Sequence, residues 1–300
     1  MRFQPDREFT WSKGWDFAIR TEKRSNNHGF LNRLDYSVSS GPLLAVIGDS
    51  YVEAAQVDDE DALHGQLAAA LTGRAAVYSF GTSYSQLPTY LAYTDYAREH
   101  FGPQAMVFVL VGNDFDLDHP GALVRSDYSP SLVKRVARHS ALCRYLFVNL
   151  GFHPAGLLAA MGGNDSTSFV GNTRARIGPE RHAASLGAID EFFRQLPKRT
   201  GLDTARILIV LDGMRPSLYS APALTAAQDS YFSRMRRAVT DRAASSGIEV
   251  VDMQSVFVRH FAVHARPALE YEIDDWNALG HRLVAEAISR SNVVTREFPQ

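Results

Sequence analysis

The sequence predicts an α/β protein in which a parallel sheet is covered by helices on both faces. Five short runs of consecutive apolar residues are rich in β-branched and aromatic side chains, which is typical of strands buried on both faces. Segments with helical periodicity lie between these runs, and four of the runs end at a glycine. Strands that alternate with helices favour a parallel sheet between two helical layers, so we predict a three-layer α/β/α sandwich.

The predicted elements follow one another at regular spacing except at one place. The predicted strands are LLAVIG to Gly48, AAVYSFG to Gly81, AMVFVLVG to Gly112, RILIVLDG to Gly213 and IEVVDM to Met253. The predicted helices cover residues 60–71, 87–100, 132–150, 181–196, 226–245 and 279–289. The interval from Asp114 to Ala205 is too long for one crossover, so we predict a helical and loop insertion at about residues 117–204. Residues 1–40 are predicted to form an N-terminal strap and residues 41–300 a single domain.

Composition and charge exclude several classes of function. Of the 300 residues, 45% are hydrophobic and 21% are charged, which is enough to build a sizeable core. The formal charge of −2 supplies no field that would attract a phosphate backbone, so we expect no nucleic-acid partner. The single cysteine, Cys143, offers neither an internal disulfide nor a thiol pair for a metal.

The N-terminus does not have the pattern of a secretion signal. Residues Met1 to Thr10 carry charges where a signal peptide needs apolar residues, and no later stretch approaches the length of a membrane span. We therefore expect no membrane span and a cytoplasmic location by default. An anchor upstream of this segment would instead place the protein in the cell envelope.

Candidate chemistry lies at the carboxyl ends of the predicted strands, where parallel sheets bind their ligands. The segments in question are Gly48-Asp49-Ser50, Gly81-Thr82-Ser83, Gly112-Asn113-Asp114, and, before the last helix, Asp274-Asp275-Trp276-Asn277 with Gly280-His281. Each segment alone is an ordinary turn or helix cap. Their joint order is informative, because all four would converge on one end of the sheet.

This order of motifs resembles the SGNH hydrolase (GDSL esterase/lipase) superfamily over about residues 43–289. The resemblance implies a five-stranded, flavodoxin-like parallel sheet and a site without metal or nucleotide cofactor. It implies that Ser50 is the nucleophile, and that the backbone amides of Ser50 and Gly81 form the oxyanion hole together with the side chain of Asn113. The stretch SNNHGFLNR and the Asn113 to Asp116 run are also similar to a bacterial branch with exported and cell-envelope members.

The general base does not follow the family pattern. Relatives of this type often read Asp-x-His-Trp-Asn followed by Gly-His, whereas this chain has no histidine between its acids and Asn277. His281 is one candidate base, with Asp274 or Asp275 holding its other ring nitrogen. A second interpretation is that the base is lost and the protein is a binding or scaffolding relative. A third is that a His-Trp pair is missing after Trp276.

The function that we predict is a serine esterase or acylesterase acting on a small, acetyl-like ester, with a small molecule or a carbohydrate as the alcohol. The alternatives are O-acetyl transfer to a polysaccharide and a catalytically impaired SGNH-like binding protein. Asp114 and Phe115 follow Asn113 directly and are expected at the substrate. Phe115 would either wall the acyl pocket or pack as an ordinary core aromatic.

Overall fold

The computed structural model describes residues 2–38, 41–115, 140–145, 169–170, 173–174, 177–214, 219–264 and 275–299. The strands are β1 (Arg7–Lys13), β2 (Ile19–Ser25), β3 (Leu43–Gly48), β4 (Ala76–Gly81), β5 (Ala105–Leu110), β6 (Phe169–Val170), β7 (Thr173–Arg174), β8 (Ile207–Leu211) and β9 (Glu249–Asp252). The helices are α1 (Ser50–Glu53), α2 (Leu63–Ala70), α3 (Leu87–Phe101), α4 (Ala141–Arg144), α5 (Pro179–Thr200), α6 (Ala221–Ala227), α7 (Tyr231–Ser246), α8 (Met253–His264), α9 (Ala278–Ser289) and α10 (Asn292–Glu297).

Five of the strands form one parallel sheet in the order β4-β3-β5-β8-β9. This order is the flavodoxin-like one, and it confirms the predicted fold. Every residue of β3, β5 and β8 is buried, as expected for strands covered on both faces. The chain leaves β3 for β4 on one side and then crosses to β5 on the other, so the loops after β4, β3 and β5 lie side by side.

Helices cover both faces of the sheet and divide the core in two. One apolar cluster joins the sheet to α3, α5 and α7 through residues such as Leu91, Phe192 and Met235. The other joins it to α2, α8 and α9 through residues such as Leu67 and Val284. The predicted insertion therefore ends in α5, a regular crossover helix between β5 and β8. Most of the rest of the insertion, including most of the predicted helix over 132–150, lies outside the described residues.

The N-terminal strap begins with an antiparallel hairpin, β1–β2, which the sequence did not reveal. The hairpin is attached to the loop that follows α1. The Thr21 hydroxyl donates to the Ala55 carbonyl at 2.6 Å. The Lys23 ammonium donates to Asp59 Oδ1 at 2.7 Å, and both of these charged side chains are buried. An ion pair at this depth is costly to break, because each charge would be left buried alone.

The remainder of the strap packs against the edge strand β4. The Tyr36 hydroxyl donates to the Ser79 carbonyl at 2.8 Å, and the Tyr36 ring stacks on Tyr78 at 4.0 Å between centroids. Phe30 is fully buried in the core on the same side. Gly29 has φ +78, and a Cβ there would lie 2.3 Å from the Phe3 carbonyl oxygen. The strap thus covers an edge that would otherwise be open to other strands.

Three helices were not predicted, and one predicted helix covers parts of two observed helices. The unpredicted helices are α1, α8 and α10. The predicted helix over 226–245 is divided, because α6 ends at Ala227 and the Ser230 side chain caps a new helix by accepting from the Ser233 amide at 3.3 Å. Within the described ranges, we find no helix with the length and apolar character that crossing a membrane requires.

Gly81 allows β4 to pack directly on α1, because a Cβ at this position would lie 2.5 Å from the Glu53 amide nitrogen. Backbone atoms cannot rotate away, so we expect Gly81→Ala to lower the free energy of unfolding by about 1–3 kcal/mol. The matched control is Gly187→Ala in α5, where an added Cβ meets nothing within 4 Å. That change should raise the free energy of unfolding by about 0.5–1 kcal/mol. Urea denaturation measures both, and a Gly81→Ala variant as stable as the wild type would contradict this packing.

Candidate active site

Ser50 lies where strand β3, which is paired on both sides, turns sharply into α1. Asp49 caps this short helix, with Oδ1 accepting from the Tyr51 amide at 3.0 Å. A Cβ on Gly48 would lie 2.4 Å from Val52 Cγ2, so the glycine lets α1 fold back onto the strand end. Ser50 is the first residue of α1 and is half-buried, which presents its hydroxyl at the carboxyl edge of the sheet.

The hydrogen-bond partner of Ser50 is a carboxylate. Ser50 Oγ donates to Asp275 Oδ1 at 3.0 Å, whereas Asp49 Oδ2 is farther away at 3.4 Å. A hydroxyl has a single proton to donate, and the shorter contact assigns that proton to Asp275. The structure therefore brings together Ser50 and Asp275, two of the predicted catalytic residues.

His281 occupies a different place from the one predicted. It is fully buried in α9, where Nδ1 accepts a hydrogen bond from the Leu63 amide at 3.2 Å. Its ring meets Trp276 edge-on, with 5.6 Å between centroids. Burial lowers the pKa of His281 to about 3, with a smaller contribution from nearby His64, so the ring is neutral at physiological pH. His281 supports the start of α2 and makes no contact with Ser50, and this corrects its predicted role as the base.

The residue that the segment before α9 places at Ser50 is an acid and not a histidine. This contact forms in the sequence as it stands, without any inserted residues. Asp274, the other predicted acid, lies outside the described residues.

Trp276 holds this segment against three parts of the fold. Its indole Nε1 donates to Asp212 Oδ1, at the end of β8, at 2.9 Å. Its carbonyl accepts from Gln56 Nε2 at 3.0 Å, and its ring meets Tyr51 of α1 edge-on at 5.0 Å. The backbone next to Asp275 is therefore fixed in three directions. Gln56 and Asp212 were not predicted as site residues, although Asp212 lies at the carboxyl end of a predicted strand, where candidate chemistry was expected.

Asn277 and Gly280 complete the local structure. The Asn277 side chain caps α9 by accepting from the Gly280 amide at 2.9 Å. An asparagine at this position satisfies one of the free amides at the helix start. The helix consequently begins at Ala278, directly after its cap and one turn before His281.

Several buried acids surround the serine and raise one another's pKa. Burial raises the pKa of Asp49 to about 8, and the neighbouring carboxylates of Asp275, Asp212 and Glu53 add to this shift. Burial also raises the pKa of Glu53 to about 7, although the amide and hydroxyl of Ser83 donate to it and oppose the shift. Asp49 thus carries a proton at neutral pH. No cluster of His, Cys, Asp or Glu in the described part of the chain could hold a metal ion.

The other two predicted oxyanion donors lie at the ends of the strands beside β3. Gly81 pairs with Gly48 in register, and Asn113 is half-buried in the loop after β5. The Asn113 carbonyl accepts from Gln86 Nε2 at 3.3 Å, which ties its loop to the start of α3. Their role as oxyanion donors stays a prediction.

Asp114 and Phe115 are fully buried, so a substrate could not touch them. This corrects the prediction that these two residues bind the substrate. The Asp114 carboxyl group accepts hydrogen bonds from the Val111 amide at 2.7 Å and from the Tyr90 hydroxyl at 2.8 Å. Burial raises the pKa of Asp114 well above its usual range. Phe115 is fully buried in the core cluster. Both residues shape the loop that carries Asn113, and for Phe115 the core-packing alternative applies.

We expect His281→Ala to destabilise the fold, because it removes a buried ring and the acceptor of the Leu63 amide. The free energy of unfolding at pH 7.5 should fall by about 2–4 kcal/mol, whereas the exposed control His264→Ala should change it by less than about 0.5 kcal/mol.

The loss caused by His281→Ala should also depend on pH in a defined direction. Below about pH 6.5 this histidine is protonated in the unfolded chain and must lose its proton when the wild type folds. The stability that His281 gives to the wild type is therefore full above about pH 6.5 and decreases as the pH falls toward the folded pKa of about 3. At pH 5 the destabilisation should be smaller than at pH 7.5 by about 2 kcal/mol. Urea denaturation at both pH values tests this, and an equal loss would contradict a buried neutral His281.

No protein-family model and no curated protein sequence matches the chain. Among solved structures, it is similar to an alpha/beta hydrolase enzyme from the metagenome of Lake Arreo, with 15% identity, a TM-score of 0.47, and coverage of 86% of this chain and 97% of that one. It is similar to a carbohydrate acetylesterase family member from Sinorhizobium meliloti, with 14% identity, a TM-score of 0.46, and coverage of 86% and 100%. It is also similar to a member of the lipolytic protein G-D-S-L family from Veillonella parvula, with 12% identity, a TM-score of 0.43, and coverage of 82% and 96%.

Proposed function

We propose that this protein is a serine esterase that hydrolyses small acyl esters, with Ser50 as nucleophile and Asp275 as the group that takes its proton. The observation that carries the proposal is the hydrogen bond of 3.0 Å from Ser50 Oγ to Asp275 Oδ1 at the carboxyl edge of the sheet. A serine hydroxyl is a weak nucleophile at neutral pH and needs a base within hydrogen-bond reach. Asp275 satisfies that geometric requirement.

In the first half of the reaction, Ser50 Oγ attacks the acyl carbonyl carbon and its proton passes to the Asp275 carboxylate. The carbonyl oxygen becomes an oxyanion, for which the amides of Ser50 and Gly81 and the side chain of Asn113 are the proposed donors. The tetrahedral intermediate then collapses, the bond to the alcohol oxygen breaks, and the Asp275 carboxyl group protonates the leaving alkoxide. An acyl-Ser50 ester remains.

In the second half, a water molecule attacks the acyl-Ser50 ester and gives a proton to the Asp275 carboxylate. Collapse of the second tetrahedral intermediate breaks the bond between the acyl carbon and Ser50 Oγ. The Asp275 proton returns to Ser50, and the carboxylic acid is released. One ester and one water are consumed, and one acid and one alcohol are formed.

A second candidate is a binding protein that has lost catalysis. One observation favours it: in the described part of the chain, the hydrogen bonds of the Ser50 side chain go to the carboxyl groups of Asp275 and Asp49, and the predicted imidazole, His281, is buried elsewhere. A carboxylate is a weaker base than an imidazole at its usual pKa. This protein would hold an ester or a sugar at the same edge without turning it over.

Three variants distinguish the two candidates in an assay of p-nitrophenyl acetate hydrolysis. If Asp275 is the base, Ser50→Ala should fall to the background rate and Asp275→Asn should lower kcat/KM by about 10²–10⁴-fold. Asp275→His supplies an imidazole at the same position and should keep the activity. The exposed control Asp58→Asn should leave kcat/KM unchanged.

A wild-type rate equal to that of Ser50→Ala would refute the esterase. If the wild type is inactive and Asp275→His, with Ser50 kept, gains hydrolysis, this result would favour the binding protein. It would indicate that the oxyanion donors are present and that the base alone is missing.

The pH dependence of hydrolysis should report Asp49. At neutral pH, Asp49 is protonated beside Ser50 Oγ, and its ionisation near pH 8 adds a negative charge that makes the Asp275 carboxylate a stronger base. We therefore expect kcat/KM of the wild type to rise through about pH 8. Asp49→Asn keeps an acceptor for the Tyr51 amide but cannot ionise, so this rise should disappear. Identical pH profiles between pH 6 and 9.5 for the two proteins would contradict the assignment.

A further inference from the structure

The N-terminal hairpin has one face turned toward the domain. On β2, Thr21, Lys23 and Ser25 are buried, whereas Arg20 and Glu22 are exposed. Residues directly opposite each other in an antiparallel pair project from the same face. Lys13 pairs with Ile19 in this register, two residues along from Thr21. Its side chain therefore projects toward the domain rather than toward solvent, and it is half-buried.

Lys13 is held at a defined position in space. It is the last residue of β1, and a turn closes directly after it through the hydrogen bond from the Phe17 amide to the Gly14 carbonyl at 3.1 Å. Thr21 bonds to the Ala55 carbonyl, five residues after Ser50 in the chain, at 2.6 Å. Together with the Lys23–Asp59 ion pair, this bond seats the hairpin on the loop that follows the nucleophile.

Lys13 and Asp275 act on each other electrostatically. Burial lowers the pKa of the Lys13 ammonium, and the Asp275 carboxylate acts in the opposite direction and raises it. The Asp275 carboxylate is the same group that accepts the Ser50 hydrogen bond. The N-terminal hairpin thus brings a positive charge to the serine–carboxylate pair.

Among the described residues, most of the other charged groups that act on this part of the site are negative, and the buried Lys23 ammonium is an exception. Asp49 and Glu53 reach it from α1, and Asp212 reaches it from the end of β8. Each of these acids disfavours a further negative charge nearby. A protonated carboxyl group cannot take the serine proton, so a cation beside Asp275 favours the form that can act as a base.

We propose that Lys13 is the positioning residue of the Ser50–Asp275 pair, and that its ammonium group keeps the Asp275 carboxylate ionised and directed at the serine. The inference rests on the proposed esterase function. In a serine–histidine–acid triad an acid orients the base. Here the proposed base is the carboxylate of Asp275, and a cation from the hairpin has the orienting role.

Kinetics test the consequence for catalysis. Lys13→Met keeps the aliphatic stem and removes the charge, so the lower pH limb of kcat/KM should shift upward by about one pH unit, and at a pH on that limb the value should fall about tenfold. Lys13→Arg restores the charge and should restore the position of the limb. The control is Arg20→Met, which removes one positive charge from the exposed face of the same hairpin and should leave the profile unchanged. An unshifted limb in Lys13→Met, or a similar shift in Arg20→Met, would overturn the proposal.

A second measurement does not need turnover. The chain has only four lysines, and reductive methylation with ¹³C-formaldehyde keeps their charge while giving each an NMR signal, with the Lys13 signal identified by its loss in Lys13→Arg. The Lys13 pKa should be lower in Asp275→Asn than in the wild type, because Asp275 raises it. Equal values would refute the pairing. A lower value in a protein without hydrolytic activity would instead support the pairing and refute the esterase function.

Discussion

The indole of Trp276 is buried among three elements of the fold, and the candidate site depends on this burial. Its ring packs on Tyr51, its N–H is satisfied by Asp212, and its carbonyl is satisfied by Gln56. A buried indole contributes a large apolar area, and it can be buried fully only if its N–H finds an acceptor. Both conditions are met, so the residue that precedes Trp276 has little freedom. That residue is Asp275, and the serine bond follows from its position.

The segment from Trp276 to His281 is therefore structural, whatever residue stands at position 275. Trp276 anchors the loop, Asn277 caps α9, and His281 accepts from the start of α2. These contacts define the direction in which side chain 275 projects. A substitution at position 275 can consequently change the chemistry of the site while the contacts of Trp276, Asn277 and His281 are kept.

The sheet and the position of Ser50 could be predicted from the sequence because both depend on local patterns. A strand buried on both faces is a continuous apolar run, and a Gly-Asp-Ser sequence at its end places Ser50 at the edge of the sheet. The hairpin was missed because its inward face contains Lys23, whose burial makes sense only beside Asp59, 36 residues away. The hydrogen-bond partner of Ser50 was harder to predict, because Asp275 lies 225 residues away and a histidine was expected beside the serine. Asp114 and Phe115 were misplaced because the loop after β5 turns inward, which no local pattern indicates.

The central claim is that Ser50 is a reactive nucleophile activated by a carboxylate. Labelling with a fluorophosphonate probe, read by mass spectrometry of the peptide that contains Ser50, tests it most directly, because the probe requires an activated serine but no particular acyl group. The account predicts one adduct on Ser50 in the wild type and little or none in Asp275→Asn. Absence of an adduct in the wild type, or equal labelling of both proteins, would contradict it.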